Sequence, residues 1–346
     1  MSIRTPLLAR LVVLLACAFV AATQAHERDS RRLPVDRVGD GLSIMVLGSG
    51  GPVATRDRVS AGYLIFTDGR PRILMDAGGG VFQRIGRSGA STGGIEHILF
   101  SHLHMDHDGD LTPILAMSFF HNMAAGVVRD APYRFVGPAD NAVSPFPSTA
   151  AYLDGLFSPD GGLERYLAGF PPALGAGSFS YETQSIPADT ARPMSVILST
   201  DDGLVVKAIA VNHGPVPALA YRIEYGGRSI VYSGDTTSRT NNMITLSQNA
   251  DLLIYDTAIL DDTPPPFSNL HTTPTRIGEV AVASGVGTLL LSHITGITAP
   301  KLHTVKHAIR RQGFTGAIKV GHDLQVINLH RRDQWQQWGQ TRSKDQ

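Results

Sequence analysis

Ten residues, Ser101 to Asp110, constrain the fold of this chain more than any other stretch. They read SHLHMDHDGD and contain three histidines and three aspartates: His102, His104, His107, Asp106, Asp108 and Asp110. The apolar run before them, residues 95–100, predicts a short buried strand, so the stretch begins where a strand ends. Alternation along the chain points the first two histidines toward one metal ion, and Asp106 and His107 follow on a turn within reach of a second. A solvated polar loop or an adventitious metal-binding tract is the alternative interpretation.

Composition bounds the class of protein. The chain has 346 residues, of which 42% are hydrophobic and 17% charged, which is typical of a soluble globular protein with a large core. Its formal net charge is +0 and its pI is ≈ 7.3, so it lacks the basic footprint of a dedicated nucleic-acid binder. We therefore predict no nucleic acid partner.

The first 25 residues have the pattern of a signal peptide. Arg4 and Arg10 precede an apolar run over residues 11–22, and Thr23-Gln24-Ala25 supplies the small residues of a cleavage site after Ala25. The run is too short to cross a bilayer comfortably, so we predict a periplasmic or secreted protein without a permanent membrane span. A lipoprotein site at Cys17 is the alternative, although the residues after it stay apolar.

Cys17 is the only cysteine of the chain. Cleavage after Ala25 would remove it, and the loss of Arg4 and Arg10 would leave the mature protein slightly acidic. The mature chain would then form no disulfide, and a metal site would have to use nitrogen and oxygen ligands.

Strand and helix patterns follow one another in both halves of the chain. They predict strands over 42–47, 63–67, 72–75, 95–100, 133–136, 194–198, 204–211, 218–225, 229–232, 252–256, 288–292, 317–320 and 324–328, and helices over 111–122, 273–284 and 301–312. Runs of strands interrupted by helices indicate two sheets with helices outside them, an α/β sandwich.

The predicted organisation is a single domain over residues 41–330. An exposed lead-in, 26–40, precedes it and a polar tail, 331–346, follows it. Residues 137–199 read as an insertion, because they begin with a stretch rich in Pro, Gly, Ser and Ala. The aromatic residues of the insertion either line a pocket, as in an active-site lid, or pack the insertion onto the body.

Further polar residues stand at the ends of predicted strands. His213, Asp235 and His293 each follow an apolar strand, and Asp76 ends a hairpin strand before three glycines. Asp76 is either a plain turn former or an outer carboxylate that orients the ligand loop. Loops at one edge of stacked sheets would bring these residues to the histidine cluster.

In type and order, these residues resemble the site of the metallo-β-lactamase fold superfamily, over about residues 42–329: Asp76, His102, His104, Asp106, His107, His213, Asp235 and His293. The segments His213-Gly214-Pro215, Ser233-Gly234-Asp235-Thr236 and His271-Thr272-Thr273 resemble its RNase Z and arylsulfatase-like branch. The resemblance implies a four-layered αββα sandwich. Dimers are common in the resembling branch, but the sequence leaves open whether this chain forms a homodimer.

The resemblance also implies a binuclear metal site. His102, His104 and His213 would bind one ion, Asp106, His107 and His293 the other, and Asp235 would bridge them. Imidazole and carboxylate ligands independently suit two Zn²⁺ ions, with Mn²⁺ or mixed occupancy as the alternative. His271 would assist the leaving group, or else belong only to the cap of the following helix.

The resemblance thus leads us to expect an exported metal-dependent hydrolase with a small-molecule ester substrate, a phosphodiester or sulfate ester that it cleaves by attack of a metal-bridging hydroxide. Asp106 and Asp235 would hold the metals and His271 would stabilise the developing charge. A signal peptide and the absence of a visible basic arm argue against RNase Z activity itself. Two alternatives stay open: a lactone, thioester or β-lactam hydrolase using the same site, and a non-catalytic periplasmic metal-binding protein.

Overall fold

The predicted α/β sandwich is confirmed. The computed structural model describes residues 32–331 except 54, 130 and 170–178, so the predicted signal peptide and nearly all of the polar tail lie outside the described residues. Within this part of the chain the strands form two seven-stranded sheets. None of the helices described is long and apolar enough to cross a membrane.

The first sheet has the strand order β14-β1-β2-β3-β4-β5-β6. Its strands are β1 (Leu42–Gly48), β2 (Gly62–Thr67), β3 (Arg70–Ala77), β4 (His97–Leu99), β5 (Tyr133–Pro138), β6 (Tyr181–Ile186) and β14 (Gln325–Leu329). Strands β1 and β2 pair antiparallel with their neighbours, whereas β3 to β6 run parallel to one another.

The second sheet has the order β13-β12-β11-β10-β9-β8-β7. Its strands are β7 (Ser195–Ser199), β8 (Val205–His213), β9 (Val216–Tyr225), β10 (Arg228–Tyr232), β11 (Leu252–Asp256), β12 (Thr288–Ser292) and β13 (Ala317–Val320). Strands β10 to β13 are parallel, and β8 runs in the same direction as β10 because both are antiparallel to β9.

Helices cover the outer face of each sheet. They are α1 (Val81–Ser88), α2 (Met105–Asp108), α3 (Leu111–Ala124), α4 (Thr149–Phe157), α5 (Asn242–Leu246), α6 (Pro274–Ser284) and α7 (Leu302–Arg311). Single turns of 3₁₀ helix lie at Pro34–Arg37, Arg165–Gly169, Phe267–Asn269 and Ala299–Lys301.

Three apolar cores establish the four layers. The central core lies between the sheets and contains residues of both, such as Ile44 and Ile254. A second core joins the first sheet to α1, α3 and α4, and a third joins the second sheet to α5, α6 and α7. Each sheet is therefore buried on both faces, which explains why its central strands read as continuous apolar runs.

The segment predicted as an insertion contributes to both sheets. After α4, strand β6 pairs parallel with β5 at the edge of the first sheet, and β7 pairs antiparallel with β8 at the edge of the second. Its aromatic residues pack onto the body, as one of the two predicted roles requires. Phe157 belongs to the outer core of the first sheet, and Phe146 packs against the same core with its ring 5.2 Å from that of His104.

The described part of the lead-in is less exposed than we expected. Its turn of 3₁₀ helix, Pro34–Arg37, lies beside β14, and Val35 and Val38 pack against the outer core of the first sheet. These two apolar side chains are separated by Asp36 and Arg37, so the high local charge obscured them in the sequence.

Candidate metal centre

The carboxyl ends of parallel strands from both sheets meet at one edge of the sandwich, and the predicted site residues lie there. His102 and His104 follow β4, His213 ends β8, and Asp235 and His293 follow β10 and β12. Asp106 and His107 lie on the single turn of α2. The fold thus brings together all seven residues that were predicted to bind metal.

The first group of ligand atoms belongs to His102, His104 and His213. Nε2 of His102 lies 2.9 Å from Nδ1 of His104, and Nε2 of His213 lies 3.4 Å from the same Nδ1. Burial lowers the pKa of His213 to about 4 and lowers the pKa of His102 well below its ordinary value. Both rings are therefore neutral at physiological pH, the form that binds a metal ion.

The second group belongs to Asp106, His107 and His293. Oδ2 of Asp106 lies 3.2 Å from Nε2 of His293 and 3.6 Å from Nε2 of His107. Burial opposes ionisation of Asp106, but the two neighbouring histidines lower its pKa to about 2. The group therefore offers one carboxylate and two imidazoles.

Asp235 lies between the two groups. Its Oδ2 is 3.3 Å from Nε2 of His293 and 3.6 Å from that of His107, and it is 3.9 Å from Nε2 of both His102 and His213. Although burial opposes ionisation, His293 and His107 hold the pKa of Asp235 well below its usual range. A single carboxylate oxygen therefore faces both groups, so Asp235 is placed to serve both.

Asp76 orients the ligand loop from behind. Its Oδ1 accepts the backbone N–H of Ser101, and its Oδ2 accepts the hydroxyls of Ser101 and Tyr232 and Nδ1 of His107, each at 2.7 Å. The hydrogen bond to Nδ1 fixes the tautomer of His107 and directs Nε2 toward the ligand group. Asp76 has φ 55°, an uncommon backbone conformation that this network stabilises.

Asp256 is a site residue that the sequence analysis missed. It ends β11, is buried, and accepts a hydrogen bond from Nδ1 of His271 at its Oδ2, 2.7 Å away. Burial opposes protonation of His271, but Asp256 outweighs it and raises the pKa of His271 to about 9. The same signal that selected Asp235 and His293, a polar residue at the end of an apolar strand, also marks Asp256.

His271 faces the centre and does not cap the following helix. Its Nδ1 lies 3.9 Å from Oδ2 of Asp235, and its ring is 5.4 Å from the ring of His213. The cap of α6 is instead Thr273, whose side chain accepts from the backbone N–H of Arg276. Of the two predicted roles of His271, the geometry therefore favours the one at the metal centre over the helix cap.

Asp110, the last residue of the ten-residue stretch, has a structural role. Its Oδ2 accepts the backbone N–H groups of Gly80 and Phe82 at 2.8 and 2.9 Å. It therefore satisfies free donors at the amino terminus of α1 from a distant part of the chain.

Comparisons with known proteins agree with this geometry. A family model described as the beta-lactamase superfamily domain matches residues 156–294, and one described as the anti-Pycsar protein Apyc1 matches residues 42–127. Ribonuclease Z of Mycobacterium bovis is 28% identical over 299 residues, which cover 84% of this chain and 99% of that protein. Ribonuclease Z of Mycobacterium marinum is 28% identical over 306 residues, covering 84% and 100%.

Two solved structures share the fold. A metallo-β-lactamase fold protein of Bacillus subtilis, YhfI, is 20% identical with a TM-score of 0.61, and covers 83% of this chain and 99% of its own. The short form of human tRNase Z is 19% identical with the same TM-score of 0.61 and the same coverage. The chain belongs to the metallo-β-lactamase superfamily. The predicted resemblance, including that to the RNase Z branch, is confirmed.

The residues of this metallo-β-lactamase superfamily chain fit divalent metal ions. Among the described residues, Nε2 of His107 and Oδ1 of Asp235 are buried without a hydrogen-bond partner, which is unusual unless another group satisfies them. Ligand atoms around a tetrahedral ion with bonds of 2.0–2.1 Å lie about 3.3 Å apart, close to the separations within the first group. The chain is thus a metal-dependent hydrolase of the superfamily.

The prediction that this metallo-β-lactamase superfamily member has no nucleic acid partner is wrong. It rested on a net charge of +0, but curated relatives that match 84% of the chain are ribonuclease Z proteins. Net charge sums the whole surface, whereas a metal centre can attract a phosphodiester locally without a basic face. Net charge is therefore no argument against a nucleic acid substrate for this chain.

Proposed function

We propose that the chain is a binuclear zinc-dependent phosphodiesterase with RNA as its substrate class. The observation that carries the proposal is the pair formed by Asp256 and His271, which stands beside the two groups that Asp235 joins. A hydrolase of charged esters needs both a cationic centre for the phosphoryl group and a proton donor for the departing oxygen. The ribonuclease Z relatives support the same bond class.

Zinc is the proposed resident ion at both positions. Five histidines and two aspartates, without a cysteine, suit a borderline ion such as Zn²⁺ better than a hard cation such as Mg²⁺. When bound, two such ions supply an activated water molecule and neutralise charge on the phosphoryl oxygens.

His271 is the proposed general acid. Since its Nδ1 donates to Asp256, its Nε2 carries the proton available for transfer. As the bond between phosphorus and the leaving oxygen breaks and the bond to the water oxygen forms, this proton moves to the leaving oxygen. Asp256 stays ionised, orients the ring and stabilises its cationic form, and His271 recovers a proton from solvent.

Metal content and substrate class test the proposal directly. The purified protein should hold about two zinc ions per chain and cleave a short RNA and bis-p-nitrophenyl phosphate. It should turn over p-nitrophenyl sulfate and a chromogenic β-lactam poorly. Absence of stoichiometric metal, or turnover of the β-lactam alone, would overturn the proposal in favour of the alternatives stated above.

Variants of the pair separate a general acid from a structural role. His271→Ala should lower kcat about 10²–10⁴-fold on RNA, whose alkoxide leaving group needs a proton. The loss should be much smaller on bis-p-nitrophenyl phosphate, because p-nitrophenolate leaves without one. Asp256→Asn should follow the same pattern with a smaller loss. His303→Ala, an exposed histidine on α7, is the matched control. Equal losses on both substrates would contradict the assigned role.

A further inference from the structure

An apolar cavity of ≈ 270 Å³ opens beside the metal centre. Ala258 and Ile259, buried just after the end of β11, form its floor. His271 and His293 form the wall that it shares with the centre. The cavity therefore begins where the proposed general acid stands and extends away from the ligand groups.

Three exposed apolar side chains form the rim of this cavity. Val53 is 75% exposed, Phe267 51% and Ile297 38%. They come from three separate loops but line the same cavity. Scattered exposed apolar residues are ordinary on a protein surface, but their convergence on one concave site beside a reaction centre indicates a binding surface.

Beyond the wall shared with the metal centre, the chemistry of the lining favours an uncharged, apolar occupant over a phosphate. Apart from the two histidines of the shared wall, no ionisable side chain lies among the described residues that line it. Its volume is below that of a site for a drug-sized ligand, so it suits one planar ring. Phe267 offers an aromatic face on which such a ring can stack.

Contacts to Asp323 fix the two ends of the loop that carries Val53. Asp323 accepts the backbone N–H groups of Ser49 and Val59, both at 3.0 Å, and Nε of Arg84 at 2.9 Å, so it fastens both ends of the loop. Gly51 lets the backbone of this loop approach the ring of His293 closely, since a Cβ atom at this position would lie 2.8 Å from Cε1 of His293. These contacts fix the ends of the loop without a ligand, which lowers the entropic cost of binding there.

We propose that this cavity binds the base of the leaving nucleoside. The assignment rests on the proposed function, because His271 lines the cavity and is also the donor to the leaving oxygen. The group attached to that oxygen therefore extends into the cavity, while the group on the other side of the phosphate points away from it. Phe267 and Ile297 are then specificity-determining residues for the leaving side of the substrate.

Short RNA substrates with a stable abasic nucleoside on one side of the scissile phosphate test this assignment, with the leaving side identified from the product ends. On the intact substrate, Phe267→Ala and Ile297→Ser should each lower kcat/KM about tenfold, the size of one lost stacking contact for Phe267 and of lost apolar burial for Ile297. Removal of the leaving-side base should make wild type and variants equal. Removal of the opposite base should leave the tenfold difference unchanged.

Phe120→Ala is the matched control, since Phe120 is 45% exposed on α3. Circular dichroism and thermal unfolding establish that each variant folds. Variants as active as wild type on every substrate, or a difference that survives loss of the leaving-side base, would overturn the inference. No cleavage of intact RNA by the wild type would refute the proposed function instead.

Bis-p-nitrophenyl phosphate distinguishes a nucleobase from a small aryl group as the natural occupant. Equal losses on RNA and on this aryl ester support a cavity that accepts the planar ring of a nucleoside. A loss confined to the aryl ester would overturn the nucleobase assignment and identify the cavity as a site for small aryl esters.

Discussion

Replacement of Asp76 by asparagine should weaken metal binding from a position that never touches the metal. The carboxylate accepts four hydrogen bonds, two from Ser101 and one each from Tyr232 and His107. The amide of asparagine keeps one oxygen but offers a donor in place of the other. The amide oxygen can keep three of the four donors only if it takes the place of Oδ2. The amide nitrogen then faces the backbone N–H of Ser101, and this buried donor loses its acceptor.

The expected magnitude follows from these four contacts. One unsatisfied buried donor costs about 1–3 kcal/mol, and each hydrogen bond that changes from a charged to a neutral acceptor loses about 1 kcal/mol. The free energy of unfolding of the metal-free protein should therefore fall by about 5 kcal/mol. Because His107 loses a carboxylate that orients its ring, zinc affinity should fall about 10–100-fold.

Tyr232→Phe is the matched control for this experiment. It removes one hydrogen bond to the same carboxylate but leaves the contact between Asp76 and His107 in place. It should cost about 2 kcal/mol of stability and leave zinc affinity nearly unchanged. Urea unfolding of the metal-free proteins gives the first quantity, and competition with a chromophoric chelator gives the second. Wild-type zinc affinity in Asp76→Asn would refute the reasoning.

Three further predictions concern other parts of the chain. Burial lowers the pKa of His97 to about 4, so between about pH 6.5 and about pH 4 the unfolded chain binds a proton that the folded protein does not. The free energy of unfolding should therefore fall by up to about 3 kcal/mol as the pH is lowered through that window. In urea unfolding, His97→Gln should flatten this pH dependence, and an unchanged slope would exclude His97 as its source. Asp323→Ala should lower the free energy of unfolding by about 3 kcal/mol in the same assay, because it leaves Arg84 and two backbone donors without their acceptor. A change below about 1 kcal/mol would contradict the role of Asp323 in fixing the loop ends. Expression of the full chain in a bacterium should yield a periplasmic protein that begins at His26 by mass spectrometry, and an intact amino terminus would argue against the signal peptide.

Local patterns predicted most of the central elements well. The hairpin around Asp68 and Gly69 and the helix that begins at Leu111 lie where periodicity and turn residues placed them. Helix α1 was missed because glycines precede it and Gly86 interrupts it, and its amino terminus depends on Asp110, 30 residues away from Gly80. Strand β6 was missed because an exposed edge strand of polar residues lacks the apolar alternation of a half-buried one.

The sequence by itself determined the fold class and the kinds of ligand at the metal centre. Both follow from local features: apolar runs of strand length, and residues with metal-binding side chains at the ends of those runs. Tertiary structure alone decided which oxygen of Asp235 faces both ligand groups, and it alone paired Asp256 with His271 and placed three exposed apolar side chains around one cavity. These relations join loops from separate strands and from both sheets, so no periodicity or spacing along the chain records them.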